Sequence, residues 1–589
     1  MIGPQIGRLQ QYPYSQEVSS VLSASRSRRP GHLKANLRMF GCIWGLVIFQ
    51  CTAAFGSGPQ GSGSLRPGSA YVPLDSWVYP AFDRLAGLGV INTQFAGLRP
   101  WTRIQCAELV LEAEKNLIEA EGKSPEAMAI NDTLKQEFSE EIHISEGGPA
   151  AQAGVESTYA RAAEISGTPL RDAFHFGQTV ANDFGRPFNT GFNSVAGFST
   201  ETSGGRFFAY LRGEYQHSPA YAGLTATQQA FLKLQNGVVS PYSQAMGTIN
   251  DFELLDTYVG VRLSVFDVTF GKQSLWWGPG TMGGMLYSDN IDPVPMLQVN
   301  QVEPITLPWL LKYLGLVRVE ALFGRLENYH YPRAPYIHGE KIMVKPSPNL
   351  EVGVARTALA FGQGIPFTFR NLVSTYFSVT DIACCPNPRD FPGKRFAGLD
   401  FSYRLPYLRK WLTLYTDNIT SDDVNPLVNP SRASYNPGLY LSHIPYLSKF
   451  DLRFELANTR TNGSPYSSFF YHEGYTNKGF LIGNTVGRQG AAFDVSSTYW
   501  FSPQKRVQVG WRRGTVSNSL VPSGGTQDSV CVKADWFVQK KVEISAFFQH
   551  ERWSFPFLAT GAQNNNVAAL EFILYPKKHW SRTALKTSD

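Results

Sequence analysis

The chain has 589 residues, enough for several ordinary domains or for one large barrel with an accessory domain. Aromatics reach 13%, only 17% of residues are charged, and Gly is abundant at 54. That balance suits a membrane-spanning β-barrel wall, although a large soluble β-protein also satisfies it. Residues 1–54 hold six Lys/Arg and one Glu, which leaves 47 basic against 46 acidic residues beyond them. The formal charge of +6 therefore gives no electrostatic support for nucleic-acid binding.

In chain order, Arg26, Arg28, Arg29, Lys34 and Arg38 precede an apolar run from Met39 to Phe49, and small residues follow in CTAAFGSG. A basic region, a short apolar core and a small-residue zone predict a secretory signal cleaved near Ala54. The run of eleven residues rises only about 16 Å as a helix, too little for a bilayer core of about 30 Å. The 38 residues ahead of Met39 are long for a basic region, so residues 1–54 are read as an extension plus signal peptide. Cys51 follows Phe49-Gln50, a poor fit to a lipoprotein signal. No later segment offers about 18 consecutive apolar residues, so no transmembrane helix is expected. Cys42, Cys51, Cys106, Cys384, Cys385 and Cys531 include no CxxC spacing, and the adjacent pair Cys384-Cys385 leaves disulfide connectivity open.

Residues 55–70 are Gly/Ser/Pro-rich and read as a linker. Residues 71–145 read as a small α-helical domain, placed in the periplasm. Asp75 or Ser76 caps a first helix with Val78, Phe82, Leu85 and Leu88 at helical spacing. Ile104 to Ala120 is amphipathic through Ala107, Val110, Leu111, Ala113 and Leu117, and a third helix is expected over Ser124 to Ile142. The apolar stripe is expected to pack on its own helices or plug a barrel's inner end, with a periplasmic partner as the other use.

From about residue 150 to 576 the period becomes two. Phe207, Ala209, Leu211, Gly213 and Tyr215 alternate with Phe208, Tyr210, Arg212, Glu214 and Gln216. Leu255 to Val265, Leu399 to Leu405 and Phe450 to Leu456 do the same, and Val567 to Tyr575 is the last candidate strand. One face is apolar, as lipid contact demands. The other mixes Arg with Asp, Glu, Tyr and Gly, which suits a lumen where opposite charges pair across strands. A sheet in lipid must close on itself because edge amides would go unsatisfied. The fold class expected is mainly β: a closed antiparallel transmembrane β-barrel of about 16–18 strands, with the small helical domain ahead of it. A basic tail, residues 577–589, follows.

Several stretches resemble one known family. They are YVPLDSWVYPAFDRLAGLGVI (Tyr71 to Ile91), GLRPWTR (Gly97 to Arg103), FGKQSLWWGPG (Phe270 to Gly280), DNIDPVPM (Asp289 to Met296), GLDFSYRLP (Gly398 to Pro406) leading to LTLYTDNITSDD, FELANTRTNG (Phe454 to Gly463) and EGYTNKGFLIGNTVGRQG (Glu473 to Gly490). In this order they are similar to the Wzi-type capsule assembly proteins. The resemblance implies an outer-membrane barrel that acts as a lectin and retains capsular or extracellular polysaccharide at the cell surface. The long loop from Ser218 to Asp251 departs from the family pattern, so the identity of the sugar is the least constrained part.

No GxSxG elbow, HExxH pair or phosphate-binding Gly loop is present, so neither an enzyme nor a cofactor or metal is expected. His330 and His338 read as loop histidines in a Tyr/Pro-rich stretch. The candidate polysaccharide contacts are Trp276 and Trp277 for stacking, Asp289 and Asn290 for hydroxyls, and Tyr466, Tyr471 and Tyr475 in an aromatic loop that also holds Phe469 and Phe470. Adjacent Trp side chains in a strand point to opposite faces, so one is expected in an interfacial girdle and one toward the lumen or mouth. Outer-membrane lipid is the other expected partner. The alternatives are a solute channel and a barrel enzyme acting on lipid or glycan.

Overall fold

A computed structural model describes residues 67–120, 124–148, 151–377, 393–408, 411–421, 427, 429–576 and 578–579. The signal, Cys42, Cys51, the linker as far as residue 66, Cys384, Cys385 and most of the basic tail lie outside these residues. Cys106 and Cys531 are free thiols.

The helical domain forms because its apolar residues recur every third or fourth position. Helix α1 (Val78–Gly87) has Ser76 Oγ accepting from the Val78 amide at 3.3 Å. Helix α2 (Arg103–Glu119) starts in a reciprocal capping box between Thr102 and Gln105. The single third helix expected is instead two, α3 (Pro125–Glu137) and α4 (Ser139–Ser145). The break falls at Phe138, whose buried ring stacks on Phe82 at 6.2 Å. Core packing thus overrides local helix continuation. The apolar stripe is consumed by the domain's own core, extended by Phe537 and Tyr575 of the barrel.

Eighteen antiparallel strands close the barrel. The first, Ala151–Gly167, pairs with both Gly191–Gly204 and the last, Gln563–Leu574, so no edge amide meets lipid. Lys578–His579 adds a short rung on the first strand. The alternation sorts as expected over Phe207–Ser218: Phe207 and Tyr215 are exposed, whereas Arg212, Glu214 and Gln216 are buried. In Ile249–Leu263 the expected face breaks. A bulge opposite Leu211 and Gly213 turns Leu255 inward, leaving Phe252, Leu254 and Val259 outside.

Turns are short at the end where the helical domain docks (for example Gly204 to Phe207, Ser502 to Lys505 and Gln539 to Val542) and loops are long at the other. Short turns on the periplasmic side and long loops outside are the arrangement of outer-membrane barrels. Trp309, Tyr313, Tyr407, Trp411 and Tyr446 are exposed at the periplasmic turns, as an interfacial girdle requires. Among the described residues no helix is long and apolar enough to cross a membrane; the strands cross it.

A plug occupies most of the lumen. From the periplasmic end, Leu98–Arg99 reaches inward and pairs with Trp276–Trp277 of the long outer loop after Phe266–Lys272. Around that meeting point lies one core that includes Leu98, Trp277, Met285, Met343, Phe396 and Tyr466. The wall charges pair partly across strands, as in Arg262–Asp267 at 2.5 Å and Lys341–Asp400 at 2.8 Å. More of them grip the plug: Arg84 of α1 meets Asp451, Asp83 meets Arg453, and Asp75 meets Arg212.

Candidate functional site

The outer loops converge on a cleft of about 580 Å³ above the plugged lumen. Its first wall is a tight hairpin, Arg171–Asp172 paired with Gly177–Gln178. Asp172 folds onto His175, accepting from its amide at 3.1 Å and from Nδ1 at 2.6 Å. Burial alone would raise Asp172, but the His175 ring and amide, with Arg488, outweigh it and hold the carboxyl below its ordinary value.

The second wall is the long loop that departs from the family pattern. Its helix α5 (Ala226–Asn236) begins in a Thr225/Gln228 capping box and ends at Gly237, whose φ of 79° is a left-handed C-cap. Leu232 anchors it in a cluster with Phe176, Trp553 and Phe555. The Asn236 amide donates to His175 Nε2 at 2.7 Å, and the Asn236 carbonyl accepts from His472 Nδ1 at 2.7 Å. One residue thereby ties three loops together. Tyr221 lies under the Arg171 guanidinium at 4.3 Å, while Tyr242 donates to the Asn328 carbonyl at 2.7 Å and lies across Gly479. Gly479 has φ of 80°, and a Cβ there would sit 2.4 Å from the Tyr242 ring, so the contact needs glycine.

The third wall carries charge. Asp292 receives Lys272 at 2.8 Å and Lys478 at 2.9 Å, and Lys478 also meets Glu253 at 3.2 Å. Burial pushes Asp292 up to about 6 against the pull of both lysines. Glu473 accepts from the His330 amide at 2.7 Å. Among the described residues Arg171 makes no ion pair, and its Nη1 has no hydrogen-bond partner. The cleft thus offers aromatic faces, hydrogen-bonding side chains of both polarities and one cation not committed to a carboxylate.

The seven candidate contacts are buried elsewhere. Tyr466, Tyr471 and Tyr475 lie in the lumen core, with hydroxyls on the Met285 carbonyl (2.8 Å), the Phe361 carbonyl (3.2 Å) and Thr357 Oγ1 (2.9 Å). Trp277, 1% exposed, donates to Glu320 at 2.8 Å. Neither Trp ends a wall strand or joins the lipid girdle, because the wall strand stops at Lys272 and the chain turns into the barrel, where Trp276–Trp277 form a two-residue strand of their own. Asn290 bonds Gln178 and the Leu481 carbonyl. Trp276 and Asp289 line a separate cavity of about 420 Å³ between the plug and the wall strands Gly490–Ser502 to Gly525–Gln539. The three tyrosines anchor the segment whose neighbours His472, Glu473 and Lys478 reach the cleft. His330 is in a loop, but His338 is on the strand Tyr336–Ser347 and fully buried, a correction to its reading as a loop residue.

No motif in the sequence marks Arg171, Tyr221, Asn236 or Tyr242. Tyr221, Asn236 and Tyr242 sit in the Ser218 to Asp251 loop, whose length was the available signal. Arg171 had none.

The family described as capsule assembly protein Wzi matches residues 160–568. An uncharacterized 55.8 kDa protein in the cps region of Klebsiella pneumoniae is 26% identical over 200 residues, which is 33% of this chain and 38% of that protein. The match thus spans well under half of that relative. Among solved structures, Escherichia coli Wzi aligns with a TM-score of 0.61 at 16% identity, over 85% of this chain and 99% of that one. It is described as an outer-membrane protein involved in group 1 capsule assembly and a carbohydrate-binding β-barrel. Pseudomonas aeruginosa OprD aligns over 72% of this chain and 95% of its own, with a TM-score of 0.38 and 10% identity.

Proposed function

Since this chain belongs to the capsule assembly protein Wzi family, we propose that it binds capsular or extracellular polysaccharide in the outer cleft and retains it at the cell surface. The observation that carries this reading is the cleft itself. It is open to the outside, floored by a packed plug, and lined by Tyr221, Tyr242 and Phe480 beside Asn236, His472 and Arg171. Tyrosine faces cover the apolar C–H surface of a sugar ring, and amides, imidazoles and a guanidinium bind hydroxyls or acidic substituents. E. coli Wzi, described as a carbohydrate-binding barrel, supports the same assignment.

Binding without catalysis is part of the proposal. The Asp172–His175 pair is spent on tying loops, with His175 Nε2 already occupied by Asn236. A channel is disfavoured by the lumen core and by hydrogen bonds that join wall to loop at the outer end, from Gln527 to the Gln178 carbonyl and from Gln549 to the Thr179 carbonyl. A periplasmic partner of the helical domain would meet the outer faces of α2 and α3, because the apolar stripe is already covered.

The test is calorimetric titration of folded protein in detergent with oligosaccharides cut from the surface polymer. Wild type is expected to bind and Tyr242→Ala to bind about tenfold more weakly, a loss of about 1.4 kcal/mol. Equal affinity of the two proteins would remove the cleft from the account.

A further inference from the structure

One sector of the barrel breaks the rule that the outer wall is apolar. In the strands Tyr336–Ser347 and Leu350–Ala360, Met343 and Thr357 point into the lumen, where Met343 joins the core and Thr357 receives the Tyr475 hydroxyl. Residues one position away point outward. Arg356 is one of them, and its register partner Glu340 lies beside it with His338 two residues on. These three polar side chains face the bilayer side of the wall, yet all are buried.

What covers them is helix α6 (Phe369–Phe377), from the outer loop that follows Leu350–Ala360. The Arg356 guanidinium donates to the Thr375 carbonyl at 2.5 Å and the Tyr376 carbonyl at 3.0 Å, satisfying acceptors at the helix C-terminus. The Tyr376 ring lies 4.3 Å from the His338 ring, and His338 Nδ1 bonds Glu340 at 3.0 Å. The residues that α6 buries are Asn371 and Thr375, whereas Phe369, Val373 and Phe377 are exposed, Phe369 at 80%. The helix is largely inside out for water: its polar residues Asn371 and Thr375 meet the protein, and the side that faces away carries Phe369, Val373 and Phe377, with Arg370 at its margin.

We propose that α6 is a lipid-embedded strap, lying against the outside of the barrel with Phe369, Val373 and Phe377 in the acyl chains of the outer leaflet. Two observations select lipid as the occupant. The apolar side lies above the lipid-facing band, which begins on the neighbouring strand Lys394–Arg404 at exposed Phe401, opposite Val352 and nearer the periplasmic end. The wall beneath would otherwise set Arg356 and Glu340 against hydrocarbon, where unshielded charge is costly. The strap thus lets an outer loop seat on the wall without exposing its polar contacts, and it ties that loop to membrane depth.

The test is photo-cross-linking of the full chain in phosphatidylcholine vesicles, with p-benzoylphenylalanine placed separately at Phe369, at Val373, and at Leu234 on the outward side of α5 as a water-facing reference. Heat-dependent gel mobility selects folded protein, and two strap positions keep the test decisive if one variant misfolds. The expected result is acyl-chain adducts at Phe369 and Val373 in at least fivefold greater yield than at Leu234. Adducts joining two copies of the chain, or lipid adducts no more abundant than at Leu234, would overturn the proposal.

Discussion

The lumen core and the outer cleft are built from similar residues and differ in how far those residues are sealed. In the lumen, Tyr466 and Tyr475 stack at 6.1 Å and 12°, both fully buried, with every hydroxyl bonded to the protein. In the cleft, Tyr221 and Tyr242 are only half-buried, and Arg171 beside them lacks an ion-pair partner among the described residues. Aromatic density is therefore no measure of binding. What separates the two regions is exposure: the lumen rings are sealed within the packed plug, whereas the cleft rings stay partly open to a ligand.

Substitutions can break or sharpen that contrast. The largest effect is expected in the lumen, where Tyr475→Ala removes a fully buried ring and should cost about 3–5 kcal/mol in urea unfolding of the detergent-solubilised barrel. A loss near that expected at the surface would mean the core is not packed as described. Next is Arg84→Ala on α1. It breaks the buried contacts to Glu126 and Asp451 and should cost about 3 kcal/mol, with limited proteolysis now releasing the helical domain. Tyr466→Phe keeps the ring and deletes only the hydroxyl that donates to the Met285 carbonyl and accepts from the Asn484 amide, for about 1–3 kcal/mol. The smallest effect belongs to Phe469→Ser. Phe469 belongs to the same aromatic loop but is 79% exposed, so stability should change by less than about 0.5 kcal/mol, with oligosaccharide affinity unaltered.

The closed barrel was legible because a period of two with an apolar and a mixed polar face has few other physical meanings, and Phe207–Ser218 sorts its residues as that reading requires. The helical domain was legible for the same reason at a period near 3.6, apart from the break at Phe138. The site was not. Trp276-Trp277, Tyr466, Tyr471 and Tyr475 attract attention as aromatic clusters, but a local pattern does not record whether a loop turns outward to solvent or down into the barrel. That choice is set by long-range partners such as Leu98–Arg99 and Thr357, far away in sequence. Arg171 and Asn236 acquire their roles only when three loops meet. The strap was hidden likewise, because His338 looks like a loop histidine until the register with Ala358 places it on the wall.

The central claim is that the cleft, not the lumen, holds the polymer. Its most direct test is surface retention in encapsulated cells that lack the chain and are complemented with wild type or with a Tyr221→Ala/Tyr242→Ala double variant. The account predicts that the double variant, folded and present in the outer membrane at wild-type level, sheds polymer into the medium as the uncomplemented cells do, with total polymer unchanged. Retention at the wild-type level by that double variant would contradict it.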